Sequence, residues 1–131
     1  MNFEDILYES ASYDHFFINQ NLIYDEHGNI LGKYHFSDIS EKQISVNVIS
    51  IYPEYRKQGY FNRFLDVICK VADEHHIELE LIPLPIDITD SPKGDMSVTK
   101  LKKIYTNKGF VPEYADEPIS IFRRVAKTVD K

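Results

Sequence analysis

The residues best suited to chemistry sit between positions 51 and 61. The run Ile51-Tyr52-Pro53-Glu54-Tyr55-Arg56-Lys57-Gln58-Gly59-Tyr60-Phe61 ends an apolar, β-prone stretch and leads into a segment with helical spacing. A glycine-bearing loop that opens a helix presents backbone N–H groups with no intrahelical acceptor. The aligned peptide dipoles add roughly half a positive charge at that end. Phosphate and pyrophosphate bind well at such a place. Arg56 and Lys57 put mobile positive charge beside it, and Gln58 adds an amide. The same residues also fit an ordinary strand-to-helix connection with solvated basic side chains, and one glycine does not separate the two.

Other reactive side chains are more simply explained. Glu78 and Glu80 lie two apart on a short alternating segment. They could act as a general base, but a solvated carboxylate face is the expectation. His35 falls in a β-prone run, where a histidine is more often structural than catalytic. His75 and His76 follow Glu74 at a helix end; adjacent helical positions diverge, so they form no chelating pair and complement the dipole instead. Cys69 lies near an apolar helical stripe without a basic activator and reads as a buried structural thiol. As the single cysteine, it excludes a disulfide framework and a Cys-rich zinc site. Lys100, Lys102, Lys103 and Lys108 read as the solvated face of a late helix. No carboxylate stands inside residues 43–51, so Ser45, Asn47 and Ser50 are the polar options there, and a base would act through water.

The elements that position these residues follow from periodicity. A helix is expected over 2–11, capped by Asn2, with Phe3, Ile6, Leu7 and Ala11 on one face. Residues 13–18 are aromatic and fit either state. Residues 22–24 and 30–36 flank a polar loop containing Gly28 and read as a hairpin, with a turn over 37–42. Residues 43–51 should form a central strand, with Ile44, Val46 and Val48 on one side and Ser45 and Asn47 on the other. Phe61, Phe64, Leu65, Ile68 and Ala72 mark a helix over 60–74. A strand over 77–82 should lie beside 43–51 and parallel to it. A loop over 87–95, a helix marked by Val98, Leu101, Ile104 and Tyr105 that ends near Gly109, and an antiparallel pair over 110–111 and 119–124 complete the order. One strand–helix–strand unit inside an otherwise antiparallel sheet is a mixed α/β architecture.

Composition sets the outer bounds. At 131 residues, 43% hydrophobic and 27% charged, the chain suits one globular domain, here residues 1–125, with 126–131 as a frayed tail. No apolar run approaches the roughly 18 residues of a membrane span, and the start lacks the basic flank and apolar core of a secretory signal. A cytoplasmic protein with no membrane partner is expected. The first 50 residues carry eight Asp and Glu against two Lys, while the rest carries thirteen of each sign, so the net charge of -6 belongs to the first half. That balance disfavours nucleic acid as a partner. It favours a basic small molecule or a basic protein segment.

The run Ile49-Ser50-Ile51-Tyr52-Pro53-Glu54-Tyr55-Arg56-Lys57-Gln58-Gly59-Tyr60-Phe61 resembles the acyl-CoA motif of the GNAT superfamily of N-acetyltransferases. Leu101-Lys102-Lys103-Ile104-Tyr105-Thr106-Asn107-Lys108-Gly109-Phe110 looks like that family's second signature, and the early hairpin around Asp25 to Gly32 looks like its hairpin. The resemblance covers about residues 22–124, in the family's order, and implies a GNAT-like acyl-CoA N-acyltransferase fold. It implies acetyl-CoA as co-substrate and no metal. Arg56, Lys57, Gln58, Gly59, Tyr60 and Phe61 would hold the pyrophosphate, and Ile49 and Ile51 would flank the pantetheine arm where their strand splays from 77–82. Tyr105 would be the general acid that protonates the departing thiolate, a role that a phenol of pKa near ~10 can play for a thiol near ~8.5. Without the resemblance, Tyr105 fits a core aromatic equally.

Two departures stand out. Phe61 occupies a position where the family usually has Gly or Ala; its place on the apolar stripe predicts a ring turned inward. Only about twenty residues precede the first hairpin, where the family usually has a longer pair of helices, so the acceptor wall is thin or is completed by a second subunit of a homodimer. The expected function is acetyl transfer to an amine of a small molecule or a protein. The alternative is a non-catalytic GNAT-fold module that binds CoA or another protein.

Overall fold

The computed structural model describes residues 3–81, 98–113 and 121–126. The chain runs through α1 (Phe3–Tyr13), β1 (Phe17–Asn19), β2 (Leu22–Tyr24), β3 (Ile30–Ser40), β4 (Gln43–Ile51), a 3-10 turn (Pro53–Tyr55) and α2 (Tyr60–Glu74). It continues through β5 (Glu78–Leu81), α3 (Val98–Asn107), β6 (Val111–Pro112) and β7 (Phe122–Arg124). The seven strands form one sheet in the order β1-β2-β3-β4-β5-β7-β6. Every neighbouring pair is antiparallel except β4 and β5, which run parallel with Gln43, Ile44 and Ser45 opposite Glu78, Leu79 and Glu80. The central strand, its parallel neighbour and the crossover helix are therefore those that the sequence predicts.

One face of the sheet carries the core. Tyr34 and Phe36 of β3 and Ile44, Val46 and Ile51 of β4 point to it, and α1 and α2 pack on them. The rings of Phe3 and Phe36 meet edge-on at 5.4 Å, and Phe64 of α2 meets Tyr34 at 6.4 Å and Phe16 at 5.5 Å. α2 buries Phe64, Leu65, Val67, Ile68, Cys69, Val71 and Ala72; each large apolar side chain among them contributes about 1.5–3 kcal/mol relative to exposure. The Tyr34 hydroxyl donates to the Glu4 carboxylate, joining α1 to the sheet. Gly32 is required by a close approach, since a Cβ there would stand 2.0 Å from the Ser50 carbonyl oxygen.

The structure corrects several boundaries. α1 extends to Tyr13, beyond the expected end at 11, and β1 forms within the ambiguous aromatic stretch. The expected turn over 37–42 is instead mostly strand: Ser37, Asp38 and Ser40 pair with Ser45, Ile44 and Gln43, which leaves Glu41 and Lys42 as the turn. Pairing with β4 overrides the turn-like composition of that segment. Ile77 lies between α2 and β5, its N–H bonded to the Ala72 carbonyl; the strand begins at Glu78, and residue 82 lies outside the described residues. The expected Asn2 cap, the loop over 87–95, residue 119 and the tail beyond Ala126 lie outside the described residues. No described helix is long and apolar enough to cross a membrane.

The far end of the sheet is locked by one buried cation. Arg124, 3% exposed, donates from Nη1 and Nη2 to the two carboxylate oxygens of Asp73 at 2.8 and 2.9 Å, and from Nε to the Lys108 carbonyl at 2.7 Å. It thereby ties β7 to the last turns of α2 and α3. Gly109 follows α3 with φ +100, and a Cβ there would meet Arg124 Nε at 3.4 Å, so conformation and contact both favour glycine. Arg124→Leu should lower stability by about 3 kcal/mol or more in urea unfolding, because it removes both guanidinium bonds to Asp73 and the bond to a helix-end carbonyl. A loss below about 0.5 kcal/mol, the range of ordinary surface changes, would contradict this clamp.

Candidate functional site

The site begins with an interruption of the sheet. In the β3–β4 register His35 faces Val48 and Phe36 faces Val46, so Asn47 is an extra residue, a β-bulge. A bulge bends its strand and increases the local twist. Among the described residues β4 pairs with β5 as far as Ser45, opposite Glu80; β5 is described to Leu81, and β4 continues to Ile51. From Val46 onward the β5-facing edge of β4 has no strand partner among the described residues. An open strand edge displays backbone donors and acceptors that an amide-bearing ligand can meet. The bulge also corrects the expected alternation. Val48 pairs opposite exposed His35, while Ile49 pairs with buried Tyr34, so Ile49 and Ile51 share the core face with Val46.

The open edge runs directly into the loop before α2. Pro53–Tyr55 makes a 3-10 turn, Lys57 takes φ +64, and Gly59 caps α2 in the left-handed region at φ +84 with no side-chain cap bond. The amides of Tyr60, Phe61 and Asn62 thus begin the helix where no intrahelical acceptor exists. A Cβ on Gly59 would meet nothing within 4 Å, so the backbone conformation calls for glycine and the space in front is open. Arg56 differs from the expected mobile cation: its Nε donates to the Ile51 carbonyl at 2.8 Å and closes the turn. Lys57 and Gln58 are exposed, with Gln58 Nε2 at 3.4 Å from the Glu54 carbonyl. Tyr60 is half-buried among Phe16, Tyr55 and the Arg63 guanidinium, at 6.2, 6.3 and 5.7 Å.

Phe61 turns inward, as its stripe position predicts. It is half-buried against the core and meets the Tyr105 ring at 6.1 Å. Tyr105 is 7% exposed and sits between Phe61 and Phe110, the latter at 5.4 Å. Burial, and then the neighbouring Cys69, pushes the Tyr105 phenol well above its ordinary range. Burial also pushes the Cys69 thiol up to about 11. Both therefore stay protonated near neutral pH, and Cys69 is the buried thiol expected of it.

A second group of side chains gathers on the opposite face of the sheet, around the bulge. Ser45 Oγ donates to Asn47 Oδ1 at 2.9 Å, and Asn47 Nδ2 lies 2.6 Å from Ser37 Oγ and 2.9 Å from His35 Nδ1. Beside it, Glu78 and Glu80 are not the freely solvated pair expected. Arg123 reaches Glu80 at 2.7 Å and Glu78 at 3.3 Å, and Gln43 Nε2 bonds both carboxylates at 3.2 and 3.1 Å. They form a cross-strand lattice. Asn47 as the centre of the first cluster is what sequence reasoning missed. Its signal was the adjacent apolar pair Val48-Ile49, which breaks strict alternation.

A groove of about 550 Å³ lies elsewhere, between α1 and the β1–β2 edge, with Glu4, Asp5, Tyr8, Phe17 and Tyr24 among its lining. β1 stands three strands from β4 in the sheet, roughly 14 Å at the usual strand spacing. His75 and His76 are both exposed at the end of α2. Among the described residues no group of three or more His, Cys, Asp or Glu is placed to hold a metal ion.

No family model and no curated protein sequence matches the chain. Solved structures do match in shape. Ard1 from Thermoplasma volcanium superposes with a TM-score of 0.55 at 14% identity, over 98% of this chain and 95% of that one. A GNAT-family acetyltransferase from Staphylococcus aureus Mu50 gives 0.55 at 18% identity, over 81% of this chain and 66% of its own. An acetyltransferase from Bacillus cereus gives 0.50 at 16% identity, over 93% and 89%. The mixed seven-stranded sheet, the parallel β4–β5 pair and these likenesses agree: the chain has the fold of the GNAT acetyltransferases.

Proposed function

We propose that the chain transfers an acetyl group from acetyl-CoA to an amine of a small molecule or a protein. The observation that carries this reading is the continuity of the open β4 edge with the uncapped start of α2. One end offers backbone pairing for the amides of a pantetheine arm, along Ile49 and Ile51, with the Ile51 carbonyl already taken by Arg56 Nε. The other offers amides and a helix dipole for a pyrophosphate, from Lys57 to Phe61. Lys57 is exposed beside it, and inward-facing Phe61 leaves the space before Gly59 clear.

In the transfer, the amine nitrogen forms a bond to the thioester carbonyl carbon and the carbon–sulfur bond breaks. The amine gives up a proton, and the thiolate takes one. By the resemblance Tyr105 would face the thiolate; burial keeps its O–H protonated and raises its pKa, which suits a hydrogen bond to the thiolate better than full proton transfer. An acceptor of basic character fits the acidic first half of the chain. The second reading, a module that binds CoA without transfer, draws on the absence of a carboxylate from β4.

Acetyl-CoA at 100 times its Kd should stabilise the chain by about 2.7 kcal/mol, seen as a raised melting temperature. Free thiol should appear when an amine panel is added. Gly59→Val should reduce the shift, since it forces a β-branched residue into the left-handed region and fills the open space. A melting temperature unmoved by millimolar acetyl-CoA would overturn both readings, and binding without thiol release would favour the module.

Phe61→Ala should cost about 1.5–3 kcal/mol of stability without tightening acetyl-CoA binding, because the ring packs on Tyr105. A variant as stable as the parent that binds acetyl-CoA distinctly better would show a ring that blocks the cofactor.

A further inference from the structure

The bulge cluster lies on the face of the sheet opposite the core, with His35 and Asn47 exposed. We infer that His35, oriented by Asn47, is the group that takes the proton from the attacking amine. This rests on the acetyl-transfer reading and adds the residue that completes its proton balance.

Position is the first support. His35 pairs with Val48, one residue past the bulge, on the strand next to the open edge of β4. One strand spacing, roughly 4.8 Å, separates its backbone from β4. Its side chain is exposed, on the face that also carries Ser37, Ser45 and Asn47. Among the described residues, the charged groups that the register places on that face include Lys33, two residues along β3, and Glu80 of β5, opposite Ser45.

The second support is the hydrogen-bond pattern. Asn47 Nδ2 donates to His35 Nδ1 at 2.9 Å, which places the imidazole proton on Nε2 in this arrangement. Turning the Asn47 amide over exchanges its oxygen and nitrogen. The amide oxygen then accepts from Nδ1–H, and Nε2 presents a free lone pair. Ser37 and Ser45 can each donate or accept, so the cluster keeps its hydrogen bonds in both settings. In the turned setting the amine proton passes to Nε2, directly or through one water, as the carbon–nitrogen bond forms. The imidazolium keeps its bond to the Asn47 oxygen and later returns the proton to solvent. Asn47 is a positioning residue, and His35 is the proton acceptor.

The test uses the full chain with His35→Gln and Asn47→Asp. Melting with and without acetyl-CoA is measured first, because His35 is exposed and its loss should leave both fold and cofactor binding intact. Thiol release is then followed against pH with the amine panel and with water as the acceptor. The parent should show an ascending limb in kcat/KM on the acid side, as a transfer assisted by a base requires. His35→Gln should lose that limb and run about 10²–10⁴-fold slower at neutral pH. Asn47→Asp should move the limb to higher pH, since a carboxylate on Nδ1–H favours the imidazolium. A His35→Gln protein with the parental rate and limb would overturn the inference, as would a parent that binds acetyl-CoA but releases no thiol to any amine or to water. A chain that does not bind acetyl-CoA at all fails at the earlier step, and the transfer reading falls with it.

Discussion

The bulge at Asn47 is the constraint on which the rest of the site depends. A strand inside a sheet normally spends both edges on its neighbours. Among the described residues β4 does so as far as Ser45; past the bulge its described partner is β3. One inserted residue has two consequences. It exchanges the faces of the residues that follow, sending Ile49 and Ile51 into the core and Val48 to the polar side. It also presents Asn47 to His35, Ser37 and Ser45.

An open edge is useful only if its surroundings hold still. On the core side, α2 is fixed by seven buried side chains and by the ring contacts of Phe64, and its first turn is held by the Phe61–Tyr105–Phe110 stack. At the far end, Arg124 binds Asp73 and the Lys108 carbonyl, which ties β7 to the ends of α2 and α3. On the polar side, Arg123 and Gln43 tie Glu78 and Glu80 across three strands. The carboxylates there are occupied with holding the sheet, which leaves His35 as the ionisable member of the bulge cluster.

Much of this was legible in the sequence where a single periodicity governed. β4 has the predicted limits, because β-prone apolar residues run to Ile51 and Pro53 stops them. α2 has them too, because its apolar stripe is unbroken and Gly59 precedes it. The parallel pairing followed from the short crossover. The inward Phe61 followed from its place on the stripe. The rest depended on partners distant in the chain. β3 reaches Ser40 only because β4 is there to pair with serines and an aspartate that locally favour a turn. Arg56 closes a turn on Ile51 that composition could not reveal, and Arg124 finds Asp73 across 51 residues. The bulge was hidden because a period-two pattern carries no mark for an extra residue except the adjacent pair Val48-Ile49.

The central claim is that the open β4 edge and the start of α2 form one continuous acetyl-CoA site. Backbone amide NMR during titration with acetyl-CoA tests it most directly. The account predicts the largest shifts at the amides of residues 57–62 and 48–51, with little change along β1 and β2. Shifts confined to the groove beside Glu4 and Tyr24, or none at saturating acetyl-CoA, would contradict it.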